Sequence, residues 1–263
     1  MIIDTHCHGD FSPDSGTTMQ ELVKEAKKRK IGFILTDHMD LHGYMDDVFL
    51  FDPKEYFEAL EKYRSDEVGI GIELGLRHEA KEFYEQITRE YPFDFVLGSA
   101  HSPYRTYDDL QYTHRRLYEG MSLEACYRYY WENIIHAIEE NPYIDAFSHV
   151  DYPARYHRDL HGGEIPFESI EDLMIRGFRL MVSLGISLEI NTRLLNEEYF
   201  VGQWGTILRL YKECGGRDVT LGSDSHRADQ LGRNFSTALM LVKDIGLHAV
   251  SYRQRKKIIL LVG

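Results

Sequence analysis

Two histidines, His6 and His8, close the first apolar stretch of the chain, Met-Ile-Ile-Asp-Thr-His-Cys-His. Alternate side chains of a β-strand share a face, so His6 and His8 project together and Cys7 points away. Two imidazoles at one strand end can hold a single first-row metal ion. One H-x-H is weak support for a metal site, but the same ending recurs along the chain. Asp37 and His38 follow the apolar run 31–36, and Glu73 lies in the run 68–75. His101 follows 93–97, His149 follows 143–147, and Asn191 and Arg193 follow 186–190. Asp224 and His226, after 219–221, repeat the two-residue spacing of the first pair.

These groups need a scaffold that brings strand ends together. Between the strands, helices are expected over residues 19–30 (capped by Thr17 or Thr18), 54–63, 79–90, 122–140, 167–184 and 203–214, with two amphipathic segments, 235–246 and 252–262, closing the chain. Seven strand–helix alternations without a linker or composition break predict a parallel sheet in one domain, residues 1–263. The strands are short and apolar on both faces, as buried parallel strands are. An open doubly wound sheet offers its switch point to two or three strands. A closed ring gathers residues from every strand at its carboxyl-terminal rim. The spread of candidate ligands over so many strand ends therefore predicts a barrel.

Composition narrows the function. With 43 acids against 30 bases the formal charge is −13, which disfavours a broad nucleic-acid surface. A small anionic substrate stays compatible, because divalent cations reverse the local field. The three cysteines lack C-x-x-C spacing, against a disulfide framework or a cysteine zinc site. No apolar run reaches the roughly 18–20 residues of a membrane span, and the chain starts directly on a strand, so a cytoplasmic location is the expectation. Nothing in the sequence sets the oligomeric state.

The ordered set of motifs, H-x-H, T-D-H, G-x-E, G-S-x-H, S-H-x-D and G-S-D-x-H, resembles the PHP (polymerase and histidinol phosphatase) superfamily from His6 to His226. Within it, the length and the G-S-x-H and E-I-N-T segments are most similar to histidinol-phosphate phosphatases. The resemblance implies a distorted seven-stranded (β/α)7 barrel, TIM-barrel-like, with two to three divalent ions (Zn, Mn or Fe). It implies one ion on His6, His8, Glu73 and Asp224, and a second bridged by Glu73 and completed by His101 and His149. A third would sit on Asp14, His38 and His226; Asp14 occupies a loop position that is often histidine in the superfamily. Glu73, Asp224 and His226 are the residues expected to be catalytic.

Such a centre suits phosphate-ester hydrolysis, with a metal-bridging hydroxide as nucleophile. Arginine forks match phosphate oxygens, and among Arg105, Arg155, Arg158 and Arg193 the expectation settles on Arg155 and Arg193, with His42 as a further substrate contact. Asp46, Asp47, Asp108 or Asp151 could meet the amine and imidazole of histidinol phosphate. The resemblance thus implies L-histidinol-phosphate hydrolysis in histidine biosynthesis. Two departures keep another small ester, a sugar or nucleotide phosphate, in play: Arg193-Leu-Leu after E-I-N-T, and Ser102-Pro-Tyr-Arg after G-S-x-H. The acidic balance disfavours a nuclease-type module. A metal-binding protein without catalysis would require the bridging hydroxide to be inaccessible.

Overall fold

The computed structural model describes residues 1–41, 50–105, 111–156 and 163–260. His42, Asp46, Asp47, Asp108 and Arg158 lie outside the described residues.

Seven apolar segments become the strands β1 (Ile3–Cys7), β2 (Gly32–Leu35), β4 (Val68–Gly75), β5 (Phe95–Ser99), β6 (Ala146–Phe147), β7 (Ser187–Asn191) and β8 (Asp218–Gly222), each parallel to the next. A two-residue strand, β3 (His38–Met39), also pairs with β4. The ends of the sheet meet. Cys7 bridges Ser225, His8 N–H donates to the Ser225 carbonyl at 2.9 Å, and Asp224 N–H donates to the His6 carbonyl at 2.8 Å. A barrel is the result, distorted where β6 contributes only two residues and where the β1–β2 register shifts between Asp4 and Cys7.

Helices return the chain from each strand to the next. In α1 (Met19–Arg29), Thr18 accepts from Glu21 N–H while the Glu21 carboxylate accepts from Thr18 N–H, a capping box that fixes where the helix starts. Met19, Leu22 and Ala26 form its buried face. The remaining helices are α2 (Pro53–Leu60), α3 (Lys81–Glu90), α4 (Leu123–Glu140), α5 (Tyr152–Tyr156), α6 (Phe167–Leu184), α7 (Glu198–Glu213) and α8 (Phe235–Ile245). Trp131 of α4 packs edge-on against Phe178 of α6 with ring centroids 5.3 Å apart.

The last amphipathic segment is not helical. β9 (His248–Arg253) and β10 (Lys256–Ile259) form an antiparallel hairpin, with Arg253 opposite Lys256. Gln254 and Arg255 between them have φ of 47° and 63°, as a two-residue type I′ turn requires. The hairpin is tied to the amino-terminal ends of the central strands. Gln254 N–H donates to Asp94 Oδ1 at 3.0 Å, and the Tyr252 hydroxyl donates to the Asp145 carbonyl at 3.0 Å. Tyr252 and Val250 pack with Ile34, Phe95, Leu97 and Ala146 in an apolar cluster separate from the main core. Burying each large apolar side chain there stabilises by about 1.5–3 kcal/mol relative to exposure. One end of the barrel is thereby filled with hydrocarbon, and the polar residues gather at the other.

Candidate metal centre

Strand register places the ligand-type side chains. His6 and His8 leave β1 on one face, with their Nε2 atoms 3.1 Å apart, while Cys7 points the other way toward the Ile34 carbonyl. His38 of β3 stands opposite Glu73 of β4, its Nδ1 2.8 Å from Glu73 Oε2. Glu73 Oε1 lies 3.3 Å from His101 Nε2, just past β5, and 3.2 Å from His149 Nε2, just past β6. Its Oε2 lies 3.3 Å from His6 Nε2 and 3.6 Å from His8 Nε2. Asp224 Oδ1 is 3.8 and 3.6 Å from the same two nitrogens. Asp14 Oδ2 is 3.0 Å from His226 Nε2 and 3.5 Å from His38 Nε2.

All nine residues expected as ligands therefore meet around one region. Their ligand atoms fall into overlapping groups: His6, His8 and Asp224; Glu73, His101 and His149; His8, His38 and His226. A cavity of about 330 Å³ opens over all of them but His6 and His8, which are buried beneath it, and is lined also by Asp40, Gln111, Thr113, Tyr152 and Arg193. His149 (φ 24°) and Asp224 (φ 51°) sit in the left-handed region, which costs a non-glycine residue of order 1–3 kcal/mol. Both strained residues are at strand ends facing the cavity, where the turn of the backbone aims the side chain inward.

The hydrogen bonds behind the imidazoles decide which ring nitrogen carries a proton. His6 Nδ1 lies 2.7 Å from Glu189 Oε2, and His101 Nδ1 lies 3.0 Å from Asp40 Oδ2. An ionised carboxylate can only accept, so both Nδ1 atoms donate. His8 Nδ1 lies 3.1 Å from Ser12 Oγ, whose own proton goes to Asp37 Oδ1 at 2.8 Å, so it donates too. His226 Nδ1 donates to the Asp224 carbonyl at 3.2 Å. In the neutral rings, four Nε2 lone pairs then converge with the Glu73 and Asp224 carboxylates. Glu73 Oε2 is buried and accepts no hydrogen bond among the described residues. Convergent lone pairs of this kind fit divalent cations, and nitrogen and oxygen donors suit Zn, Mn or Fe.

Without a cation, protons respond to the same field. Burial pulls the His6 imidazole down, but Glu189, Glu73 and Asp224 more than reverse this and hold it well above its ordinary value. The His38 imidazole is likewise raised against its burial, by Glu73 and Asp14. His101 is raised to about 10, where Asp40 and Glu73 outweigh burial. His8 is instead lowered, by burial and by the neighbouring His38 and His226. Burial raises the carboxyls of Glu73 and Asp224, and the surrounding imidazoles overcome it, keeping both well below the usual carboxylate range.

The expected substrate contacts divide. Arg193 lines the cavity, with Nη1 3.8 Å from Asp224 Oδ2. Arg155 lies behind Asp224, donating to its Oδ2 at 3.2 Å and to Asp151 Oδ1 at 2.8 Å, and is not among the cavity-lining residues. Asp151 also accepts from Trp204 Nε1 at 3.2 Å, which commits it to the core. His42 falls outside the described residues. Arg105 is on the surface with Glu140. His78, His136 and His248 make outward-facing pairs with Glu140, Glu139 and Asp218.

Sequence reasoning missed Asp40 and Glu189, the acids behind His101 and His6. Asp40 could have been found by the two-residue rule applied to His38-Met-Asp40. Glu189 is an acid inside the apolar run Ile-Ser-Leu-Glu-Ile, an unusual cost unless it meets a partner. Both acids need room. A Cβ on Gly75 would lie 1.6 Å from Asp40 Oδ1.

The profile of the PHP domain family matches residues 4–193. A probable histidinol-phosphatase of Clostridium acetobutylicum is 35% identical, over 97% of this chain and 98% of that protein. The histidinol-phosphatase of Lactococcus lactis is 28% identical, over 95% of this chain and 93% of its own length. A crystal structure of histidinol phosphate phosphatase from Lactococcus lactis, complexed with Zn, L-histidinol and phosphate, superposes with a TM-score of 0.88 at 27% identity, over 98% of both chains.

Proposed function

The chain belongs to the PHP domain family, and from that membership we propose that it is a metal-dependent phosphomonoesterase hydrolysing L-histidinol phosphate to L-histidinol and phosphate. The observation that carries the reading is the convergence of four Nε2 lone pairs and two carboxylates, with His101, His226, Glu73 and Asp224 lining one cavity and His6 and His8 buried beneath it. It is supported by relatives of matching length named for this activity and by a similar fold solved with Zn, L-histidinol and phosphate. Bound divalent ions would supply Lewis acidity toward phosphoryl oxygens and lower the pKa of a water to near 7.

The chain's own residues set the rest. His6, His8, Asp224 and Glu73 would hold one ion, Glu73, His101 and His149 a second, and Asp14, His38 and His226 a third, with zinc the first candidate. Arg193 is on the rim, its side chain 39% exposed, and would fork onto phosphate oxygens. Arg155 acts from behind, orienting Asp224. Gln111, Thr113 and Tyr152 complete the wall that the organic part of a small ester would touch. We place the reaction in the cytoplasm, as a step of histidine biosynthesis carried out by the whole chain as one domain; no helix among the described residues is long and apolar enough to cross a membrane.

The test is a side-by-side measurement on zinc- or manganese-loaded protein with histidinol phosphate, p-nitrophenyl phosphate, sugar phosphates and mononucleotides. A charged hydrogen bond to the amine of histidinol is worth roughly 2–5 kcal/mol. Histidinol phosphate should therefore exceed the others in kcat/KM by at least about 30-fold. A sugar or nucleotide phosphate preferred by that margin would overturn the substrate and leave the phosphoesterase chemistry standing.

A further inference from the structure

Behind His6 lies a carboxylate that makes no contact with the cavity. Glu189 of β7 is fully buried, its Oε2 2.7 Å from His6 Nδ1. Its Oε1 accepts from Asn191 Nδ2 at 3.0 Å, and the same amide lies 3.3 Å from Asp224 Oδ2. Asn191 thus links the acid behind one ligand to the carboxylate of another. Space for the pair comes from the adjacent strand: a Cβ on Gly222 would stand 2.6 Å from Glu189 Oε2 and 2.6 Å from His6 Cβ.

Burying a carboxylate is unfavourable unless it is paired and hydrogen-bonded. Here the pairing is made to a ring whose other nitrogen points at Glu73, His8 and Asp224. Metal-ligating histidines commonly donate their remote N–H to a carboxylate, which fixes the tautomer and ring orientation and raises basicity. Among the described residues, the neighbouring His8 has the neutral Ser12 hydroxyl in that position.

We infer that Glu189 is a positioning residue of the metal centre, holding His6 with its proton on Nδ1 and its Nε2 aimed at the ion shared with His8 and Asp224, in a slot that Gly222 keeps open. The inference rests on the reading of the cluster as a divalent-metal site. Glu189 touches neither substrate nor ion in this role; it acts through His6.

The test strips the protein with chelator and titrates zinc back against a chromophoric competitor, for the wild type, Glu189→Gln and Gly222→Ala. Circular dichroism and thermal melting of each metal-free protein serve as folding controls. Wild-type protein that takes up no zinc sinks the metal reading itself. If the wild type binds, Glu189→Gln should fold and lose roughly 10–100-fold in affinity for one ion, the range for such outer carboxylates, with the other ions retained. Gly222→Ala, which keeps the acid but crowds both it and His6 and so disturbs their pairing, should lose the same ion. Wild-type zinc affinity in whichever variant folds overturns the role. So does failure of both metal-free variants to fold, which would assign Glu189 to the core alone.

Discussion

His38 stands directly across the β3–β4 register from Glu73, with Nδ1 2.8 Å from Oε2. Glu73 is also reached by the imidazoles of His6, His8, His101 and His149, so one buried carboxylate meets side chains from four other strand ends. Replacing it with glutamine keeps the shape and removes the charge. Glu73→Gln should lose at least one ion and about 10²-fold or more in turnover, the scale on which charge-stabilising groups act. Metal analysis and steady-state kinetics on the same preparation check this. Full metal content with near wild-type turnover would contradict the placement of Glu73 between ions.

Metal removal should leave a pH signature. With Asp40 and Glu73 outweighing burial, His101 is raised from 6.5 to about 10 in the metal-free fold. The folded chain then keeps a proton that the unfolded chain releases above about pH 6.5. The stabilisation is complete below that pH and is lost as the pH rises toward 10. His6 and His38, raised as well, add to the loss, whereas His8 and His149, lowered chiefly by burial, matter only on the acid side. The Tm of chelated protein should fall over this interval, and less steeply in Asp40→Asn. An identical slope in the two proteins would contradict the role given to Asp40.

Gly75 offers a packing test of the same contact. An added methyl would lie 1.6 Å from Asp40 Oδ1 and 3.3 Å from His101 Nδ1, so the Asp40 carboxylate is the group that must move. Gly75→Ala should destabilise the protein by about 1–3 kcal/mol, as overpacking does. It should also weaken the ion held by His101. Denaturant titration measures the first effect and zinc competition the second; a neutral substitution would show that Asp40 has slack which the geometry denies it.

The barrel and the gathering of ligand-type side chains at its rim were legible because both depend on short-range rules. Period-two alternation put His6 with His8 and Asp224 with His226, and the repeated ending of apolar runs in imidazole or carboxylate marked the rim. The hairpin β9–β10 was less legible: segment 252–262 has an amphipathic pattern that fits either period, and its turn lacks glycine and instead places Gln254 and Arg255 at positive φ. Glu189 and Asp40 escaped because their partners, His6 and His101, are 183 and 61 residues away. Arg155 was visible as a loop arginine, but only the fold shows that Asp151 and Asp224 already hold it.

Divalent ions held by this cluster would be seen by anomalous diffraction at the zinc, manganese and iron edges from protein purified without chelator. About two to three peaks per chain are predicted, as two-metal phosphoesterase chemistry and a third phosphate-binding ion require. One should lie among His6, His8, Glu73 and Asp224, one among Glu73, His101 and His149, and the third beside Asp14, His38 and His226. Fewer than one ion per chain, with no anomalous density at these residues even after soaking in zinc or manganese, would contradict the account.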